Sequence, residues 1–517
     1  MKTTRTALAA LFAVTSLLAA CTGETYPEAS GMTPEGATAR TAQAVTGRGA
    51  GMAASRVTLK GRKLMLDGAP YQVRGVDYAP IPIGSSADAF YGDGNREGDG
   101  GDVFGNPYFE EQLRRDVAAM RDMGVNTIRV YQMHPWDPQK GPGSESVRAR
   151  AHQKFLDMLW NGGDRPIRAY VAFPVSSDIT RYTTVANKPT DGRWFREVPV
   201  GGSMMYEIED ETRVSNGWAF NGAQTAAQRR ATDMAAYEAL AKEVGNHPAV
   251  LGFVLSNELN GASNRENPRF FQFMNELGGK LKAIAPEKHT IMALIDDGND
   301  TLRNVKAKGF DVSNIDAWGI NSYRGRIGET TNHFDNLFTS YAELSEKPLV
   351  VTEFGAPATT RVEIKNQFPL PVPSGAVGAL NNLCPSASMI DMPDNAKLQA
   401  DYIEGHWKHI DANKDIVSGG LVFEWQDEYF KAGAHLSPRV PPSADPHAGN
   451  GQSDLWHQSP SPSGVDAFPG GCWDEEGFGI NAVSNKRGGQ SWPGPFIPDG
   501  RSPRAAFDRL KVIWTQK

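Results

Sequence analysis

Cysteine is scarce in this chain, with three in 517 residues, so a small disulfide-dense fold is excluded and stability must come from an apolar core. There is no block of basic residues, and Asp and Glu outnumber Lys and Arg by 60 to 53. Nothing here attracts a nucleic acid backbone. The ten histidines are scattered. Only His406 and His409 are near neighbours, on a helical stretch where a solvated face is the expectation. No metal site and no cofactor are expected. No glycine-rich phosphate loop follows an early strand, which disfavours an open dinucleotide-binding sheet. Beyond residue 20, no apolar run reaches the ~18 residues that a membrane-spanning helix needs.

What is present begins with a leader. Lys2 and Arg5 precede the apolar stretch Ala7–Ala20, and Cys21 follows. A charged start, a hydrophobic middle and a small-residue exit make an export signal over residues 1–20. Leu18-Ala19-Ala20-Cys21 resembles a bacterial lipoprotein box, in which Cys21 becomes the lipidated first residue; the alternative is an ordinary signal peptide with an incidental cysteine. The expectation is an exported lipoprotein of the cell envelope, at the outer membrane, attached through acyl chains only. Residues 21–55 are rich in Ala, Gly, Thr and Ser and read as a flexible tether. Cys384 and Cys472 lie in Pro- and Gly-rich surroundings. In an oxidising compartment they bridge two long loops, or they remain separate thiols.

Order is expected over 56–517 as one catalytic domain. Arg56–Tyr78 alternates apolar and polar residues around Lys60-Gly61 and Asp67-Gly68, the pattern of a β-ribbon leading into a buried strand. Strands and helices then alternate. Strands are expected from Tyr71, Val125, Ile167, Val250, Thr290, Ala317, Pro348 and Gly419. Helices are expected at Tyr108–Met123, Ser144–Trp160, Thr225–Val244, Pro268–Ala285, Phe334–Leu344, Lys397–Asn413 and Ser502–Trp514. Eight alternating strands predict an α/β fold, a closed (β/α)8 TIM barrel with a short N-terminal ribbon.

Four long segments interrupt the alternation: Ala79–Pro107, Val175–Asn221, Ala356–Asp394 and Lys431–Arg501. They follow strands one, three, seven and eight, and are read as structureless loops walling a cleft on one face. Tyr91, Trp194, Phe195, Tyr206, Trp218, Trp456 and Trp492 are candidate stacking rings there, or packing residues of the loops.

Two apolar runs end on a glutamate, VLGFVLSNE closing at Glu258 and PLVVTEFG containing Glu353. A run of this kind is a strand buried on both faces, and a carboxylate at its end emerges at the barrel mouth. Asn257-Glu258 on strand four, Glu353 on strand seven and Trp425 on strand eight together resemble clan A of the glycoside hydrolases, the retaining (β/α)8 enzymes. The resemblance covers about Arg56 to Trp514. It implies Glu258 as acid/base and Glu353 as nucleophile. It also implies Arg129 and Tyr323 as partners of the nucleophile, Asn257 on the sugar 2-hydroxyl, and Trp425 as the floor beneath the sugar. YQVRGVDYAP, DAWGINSYRG and GGLVFEWQDE look closest to family 2 barrels and family 72 β-1,3-glucanosyltransferases, with family 5 more distant. Asp77, Tyr78 and the segment Glu424–Glu428 are placed at the subsites.

The implied activity is retaining cleavage of β-linked glucan or mannan, with a carbohydrate partner and no cofactor. The two carboxyl groups are expected about 5–5.5 Å apart, the retaining separation. A glucanosyltransferase using the same residues, a barrel that only binds polysaccharide, and a metal hydrolase are the competing readings.

Overall fold

The computed structural model describes residues 56–82, 102–135, 145–175, 182–209, 214–216, 223–261, 264–325, 333–358, 392–428, 458–460, 472–474, 477–484 and 497–516. All of these belong to the compact unit Ala54–Lys517. The leader, the tether, Cys21, Cys384, Tyr91, Trp218, Trp456 and Trp492 lie outside the described residues, and with them the lipidation and disulfide expectations.

Eight strands form the centre: β1 (Val73–Asp77), β2 (Thr127–Arg129), β3 (Arg168–Ala172), β4 (Val250–Asn257), β5 (His289–Ile295), β6 (Ala317–Asn321), β7 (Leu349–Phe354) and β8 (Val417–Val422). They pair in chain order, every pair parallel, and β8 closes on β1. Around them lie α1 (Glu110–Met123), α2 (Glu145–Trp160), α3 (Ala226–Val244), α4 (Pro268–Ile284), α5 (Asp300–Lys308), α6 (Leu337–Leu344), α7 (Met392–Ala412) and α8 (Ala505–Thr515). The fold is a (β/α)8 barrel. The strands read as unbroken apolar runs because both faces are covered. Val73, Tyr170, Leu251, Ile291, Val350 and Leu421 fill the interior, while Val76, Ile128, Val171, Met292, Ile320 and Val351 pack outward against the helices. Alternate residues of a strand point to opposite faces, and register shifts before Asn257 on β4 and before Glu353 on β7 reset that alternation at the mouth.

The N-terminal ribbon (Val57–Lys60, Lys63–Leu66 and Ala69–Pro70) closes the opposite end. Asp67 and Gly68 both have positive φ, 50° and 83°. That is the type I′ geometry that matches the twist of a two-residue hairpin. Val57, Leu64 and Tyr71 join the interior cluster, and the Tyr71 hydroxyl donates to Asn126 O at 2.8 Å.

Two expectations about the chain between strands need correction. Val175–Asn221 is not structureless: Tyr182–Val185, Phe195–Val200 and Ser203–Glu209 form a three-stranded antiparallel sheet, with Phe195 and Tyr206 edge to face at 5.5 Å. The helix α5 was not expected between β5 and β6. Its nine residues carry only Leu302 and Val305 as large apolar groups, too few to display a period. His406 is also not on a solvated face. It is fully buried on α7 beside His333, Tyr402 and Phe334, and burial, with His333 nearby, lowers its pKa to about 3.

One buried ion cluster ties the region after β1 to the helix layer. His152 on α2 sits between Asp102 Oδ2, 2.7 Å from its Nε2, and the Glu243 carboxylate of α3. Asp102 also accepts from the backbone N–H groups of Gly105 and His134. Gly105 is obligatory there, since a Cβ would run into Asp102, Arg148 and His152. Burial opposes a charge on His152, but Asp102 and then Glu243 outweigh it and raise its pKa to about 9. Burial likewise opposes the Asp102 charge, yet His152 and Arg148 hold its pKa at about 2. His134, the other group facing the cluster, is driven to about 4, chiefly by burial.

A raised histidine pKa stabilises the fold fully below the unfolded value of about 6.5, and the contribution disappears as pH climbs through about 9. Urea unfolding followed by far-UV circular dichroism should therefore show a loss on the order of 3 kcal/mol over that range. His152→Gln should be less stable at pH 6 and should lack this pH dependence.

Candidate active site

The carboxyl ends of the strands bring five of the expected residues together. Arg129 and Tyr131 leave β2 on the inward parity, as do Asn321 and Tyr323 at β6. Glu353 stands near the end of β7, and Asn257 and Glu258 close β4. The Glu353 carboxylate accepts three hydrogen bonds: Arg129 Nη1 at 2.9 Å and the Tyr131 hydroxyl at 2.7 Å on Oε1, and the Tyr323 hydroxyl at 2.6 Å on Oε2. Burial raises both tyrosine pKa values well above the phenol range, with Asp77 and Glu353 adding to it at Tyr131 and Glu353 at Tyr323. Both therefore remain neutral donors. Burial opposes the charge on Arg129, but Tyr131, Glu353 and Asp77 outweigh it and raise its pKa further. The guanidinium also lies over the Tyr131 ring, 4.4 Å from the centroid.

Glu258 is joined to this cluster through amides. Arg129 Nη2 donates to Asn257 Oδ1 at 2.6 Å, and Asn321 Nδ2 donates both to Asn257 Oδ1 at 3.0 Å and to Glu258 Oε1 at 2.9 Å. Asn321 Oδ1 accepts from Thr352 Oγ1 at 2.7 Å, which fixes the orientation of the Asn321 amide. A continuous path, Glu353–Arg129–Asn257–Asn321–Glu258, thus links the two carboxylates. Glu258 has φ of 55°. A left-handed non-glycine residue costs about 1–3 kcal/mol and persists only where its surroundings hold it. Here the Glu258 N–H bond to Ala293 O and the Asn321 amide do so.

Asp77 joins them, and two other expected positions are placed differently. Asp77 ends β1 on the inward parity, with Oδ1 3.7 Å from Arg129 Nη1. Tyr78, one residue later, has the opposite parity. Its ring packs on Phe104 and Phe155 and its hydroxyl donates to Asp116 of α1, so it belongs to the helix layer and not to a subsite. Trp425 is also turned outward, 5.9 Å from Phe507 of α8, and does not floor the site. Phe423 stands there instead, edge-on to Tyr131 at 6.3 Å and to Tyr323 at 6.2 Å. No side chain fits at Gly355, which lies against the Phe423 carbonyl. Beyond Phe423, Gln426 and Asp427 are drawn away by Arg501 and Arg504.

Tyr131, Asn321 and Phe423 were not singled out by sequence reasoning. The signal was available for the first two, because each lies two residues from a position already assigned to the mouth, Arg129 and Tyr323. The structure places Phe195 and Tyr206 in the added sheet, and Trp194 just ahead of its second strand.

No protein-family profile and no curated protein sequence matches this chain. Among solved structures it is similar to a family 2 β-galacturonidase from Eisenbergiella tayi, with 12% identity and a TM-score of 0.46, over 89% of this chain and 54% of the other. It is similar to a β-D-glucuronidase from Dictyoglomus thermophilum at 13% identity and a TM-score of 0.44, over 90% and 54%. It is also similar to Gas2p from Saccharomyces cerevisiae at 13% identity and a TM-score of 0.41, over 90% and 68%. The chain thus spans about half the length of the first two. Likeness this weak assigns no activity.

Proposed function

We propose that the chain is a retaining glycoside hydrolase acting on β-linked glucan or mannan chains. The observation that supports this most directly is the asymmetric pair of strand-end carboxylates. Glu353 collects a guanidinium and two phenols, the setting of a group that stays ionised and attacks. Glu258 accepts from the neutral Asn321 amide, the setting of a group that exchanges its proton.

In the reaction Glu353 attacks the anomeric carbon while Glu258 protonates the departing oxygen. Water, activated by Glu258 as base, then releases the sugar, and two inversions give net retention. Asn257, whose Oδ1 is already taken by two donors, offers its amide hydrogens to the 2-hydroxyl. Phe423 and the two tyrosines border the sugar ring. Cys21 lipidation, with the barrel held at the envelope membrane by acyl chains, belongs to the same reading and rests on the leader sequence.

The deciding experiment is a screen against β-1,3-, β-1,4- and β-1,6-glucans and mannans, with proton NMR of the first-formed anomer. A β-anomer supports retention. An α-anomer, or no turnover of any β-glycan, defeats the proposal. Products longer than the donor identify a glucanosyltransferase.

Tyr131→Phe and Tyr323→Phe should each lower kcat/KM on the best substrate by roughly 10- to 100-fold. That corresponds to one hydrogen bond to a charged group, about 1.5–3 kcal/mol. Circular dichroism should show both variants folded.

A further inference from the structure

Asp77 differs from the other acids of the mouth. It is fully buried, its backbone carbonyl is pinned by the Trp425 N–H, and neither carboxyl oxygen accepts a hydrogen bond. The cation beside it is Arg129, with Nη1 3.7 Å from Oδ1. That same nitrogen donates to Glu353 Oε1 and to Thr352 O, while Nη2 donates to Asn257. Two buried carboxyl groups therefore share one guanidinium.

One buried cation balances one buried anion, and a second anion in the same place avoids the penalty by keeping its proton. Glu353 has three donors, whereas Asp77 has only the approach of the Tyr131 hydroxyl, whose single proton is committed to Glu353, so the charge resides on Glu353 and the proton on Asp77. The electrostatics agree. Burial pushes the Asp77 pKa well above the carboxylate range, Arg129 draws it back, Glu353 and Glu428 push it up again, and Tyr131 pulls weakly downward.

We propose that Asp77 is a reserve counter-ion for Arg129, neutral while Glu353 is a free carboxylate and ionised whenever the Glu353 charge is removed. Its catalytic meaning rests on the reading of Glu353 as nucleophile. In that reaction the bond from Glu353 to the anomeric carbon forms as the bond to the leaving oxygen breaks, and Glu258 gives its proton to that oxygen. The new ester at Glu353 is neutral. Asp77 then releases its proton to bulk water and balances Arg129 in its place. Hydrolysis of the ester restores the Glu353 carboxylate, and Asp77 takes a proton back from water, so the cycle closes. Asp77 acts through Arg129 as a positioning residue that keeps the guanidinium partnered in both states.

Glu353→Gln imitates the neutral ester without any substrate, so the test reads charge and not turnover. Infrared difference spectra at pH 7 between the wild type and Asp77→Asn should show a protonated carboxyl C=O stretch. The same difference taken in the Glu353→Gln background should show carboxylate stretches in its place. Urea unfolding supplies a second reading: Asp77→Asn should leave the midpoint of the wild type unchanged or higher, and should lower it in the Glu353→Gln background. A residue that only fills space would give the same sign in both. If Glu353→Gln does not fold, Glu353→Ala removes the same charge. A carboxylate signal from Asp77 in the wild type, or an acid signal in both backgrounds, overturns the proposal. Turnover retained by Glu353→Gln would instead defeat the nucleophile assignment and leave these spectra interpretable.

Discussion

Glu353→Gln is expected to lower turnover of any β-glycoside substrate by more than about a thousandfold, since an amide cannot form the ester and no other carboxylate replaces it. The substitution keeps the size of the side chain and leaves an oxygen to accept from Arg129 or the tyrosines, so binding should persist. Isothermal titration with the best oligosaccharide from the screen should give an affinity within about tenfold of the wild type. The partner experiment separates the two glutamates. Glu258→Ala should lose roughly 100- to 10,000-fold on substrates with poor leaving groups, the usual range for a general acid. On an activated aryl glycoside, azide should restore its turnover, because azide needs no base to attack the glycosyl ester, and the product should be the β-azide. An α-azide would show that Glu258 is the nucleophile and that the two roles are exchanged.

Arg129→Ala should destabilise the barrel by about 3–5 kcal/mol, the cost of breaking a buried ion pair and leaving its partners behind. The side chain is 1% exposed and holds Glu353, Thr352 and Asn257 at once. Its removal therefore releases strands β4 and β7 from β2 in one step. Arg129→Lys should recover little of this, because an ammonium on a flexible stem cannot reproduce the planar fork that spans Glu353 and Asn257. Urea midpoints of both variants check the prediction. A loss below about 1 kcal/mol for alanine would mean that the cluster relaxes to admit water.

The barrel was legible because its strands are covered on both sides. Val250–Asn257 and Leu349–Phe354 carry almost no polar residue before their ends, so a carboxylate following them had to lie at an opening. Arg129 and Tyr323, the expected partners of Glu353, came from the resemblance to clan A and not from the pattern of their own strands. The errors arose where a side chain's face depends on parity or on a departure from it. Tyr78 adjoins a mouth residue and so cannot share its face. Trp425 lies beyond the end of β8 at Val422, where period-two reasoning no longer applies. The sheet at 182–209 was hidden because its strands are half-buried to exposed, with Ile208 the one buried position among the described side chains, and lack the apolar alternation that marks a strand against a core. The sharing of Arg129 between Glu353 and Asp77 is a fact of distance across the barrel, and no linear spacing encodes it.

The register that joins Gly419 and Val73, together with the packing of α8 against α1 and α7, makes the two ends of the domain neighbours. Until the last quarter of the polypeptide has been synthesised, β1 presents an open edge with no strand to meet it. Completion is thus an event of the whole chain and not of its first half. A stop codon before Ala505 removes the helix that covers the seam, so even short truncations should be judged as lesions of assembly before they are judged as lesions of chemistry.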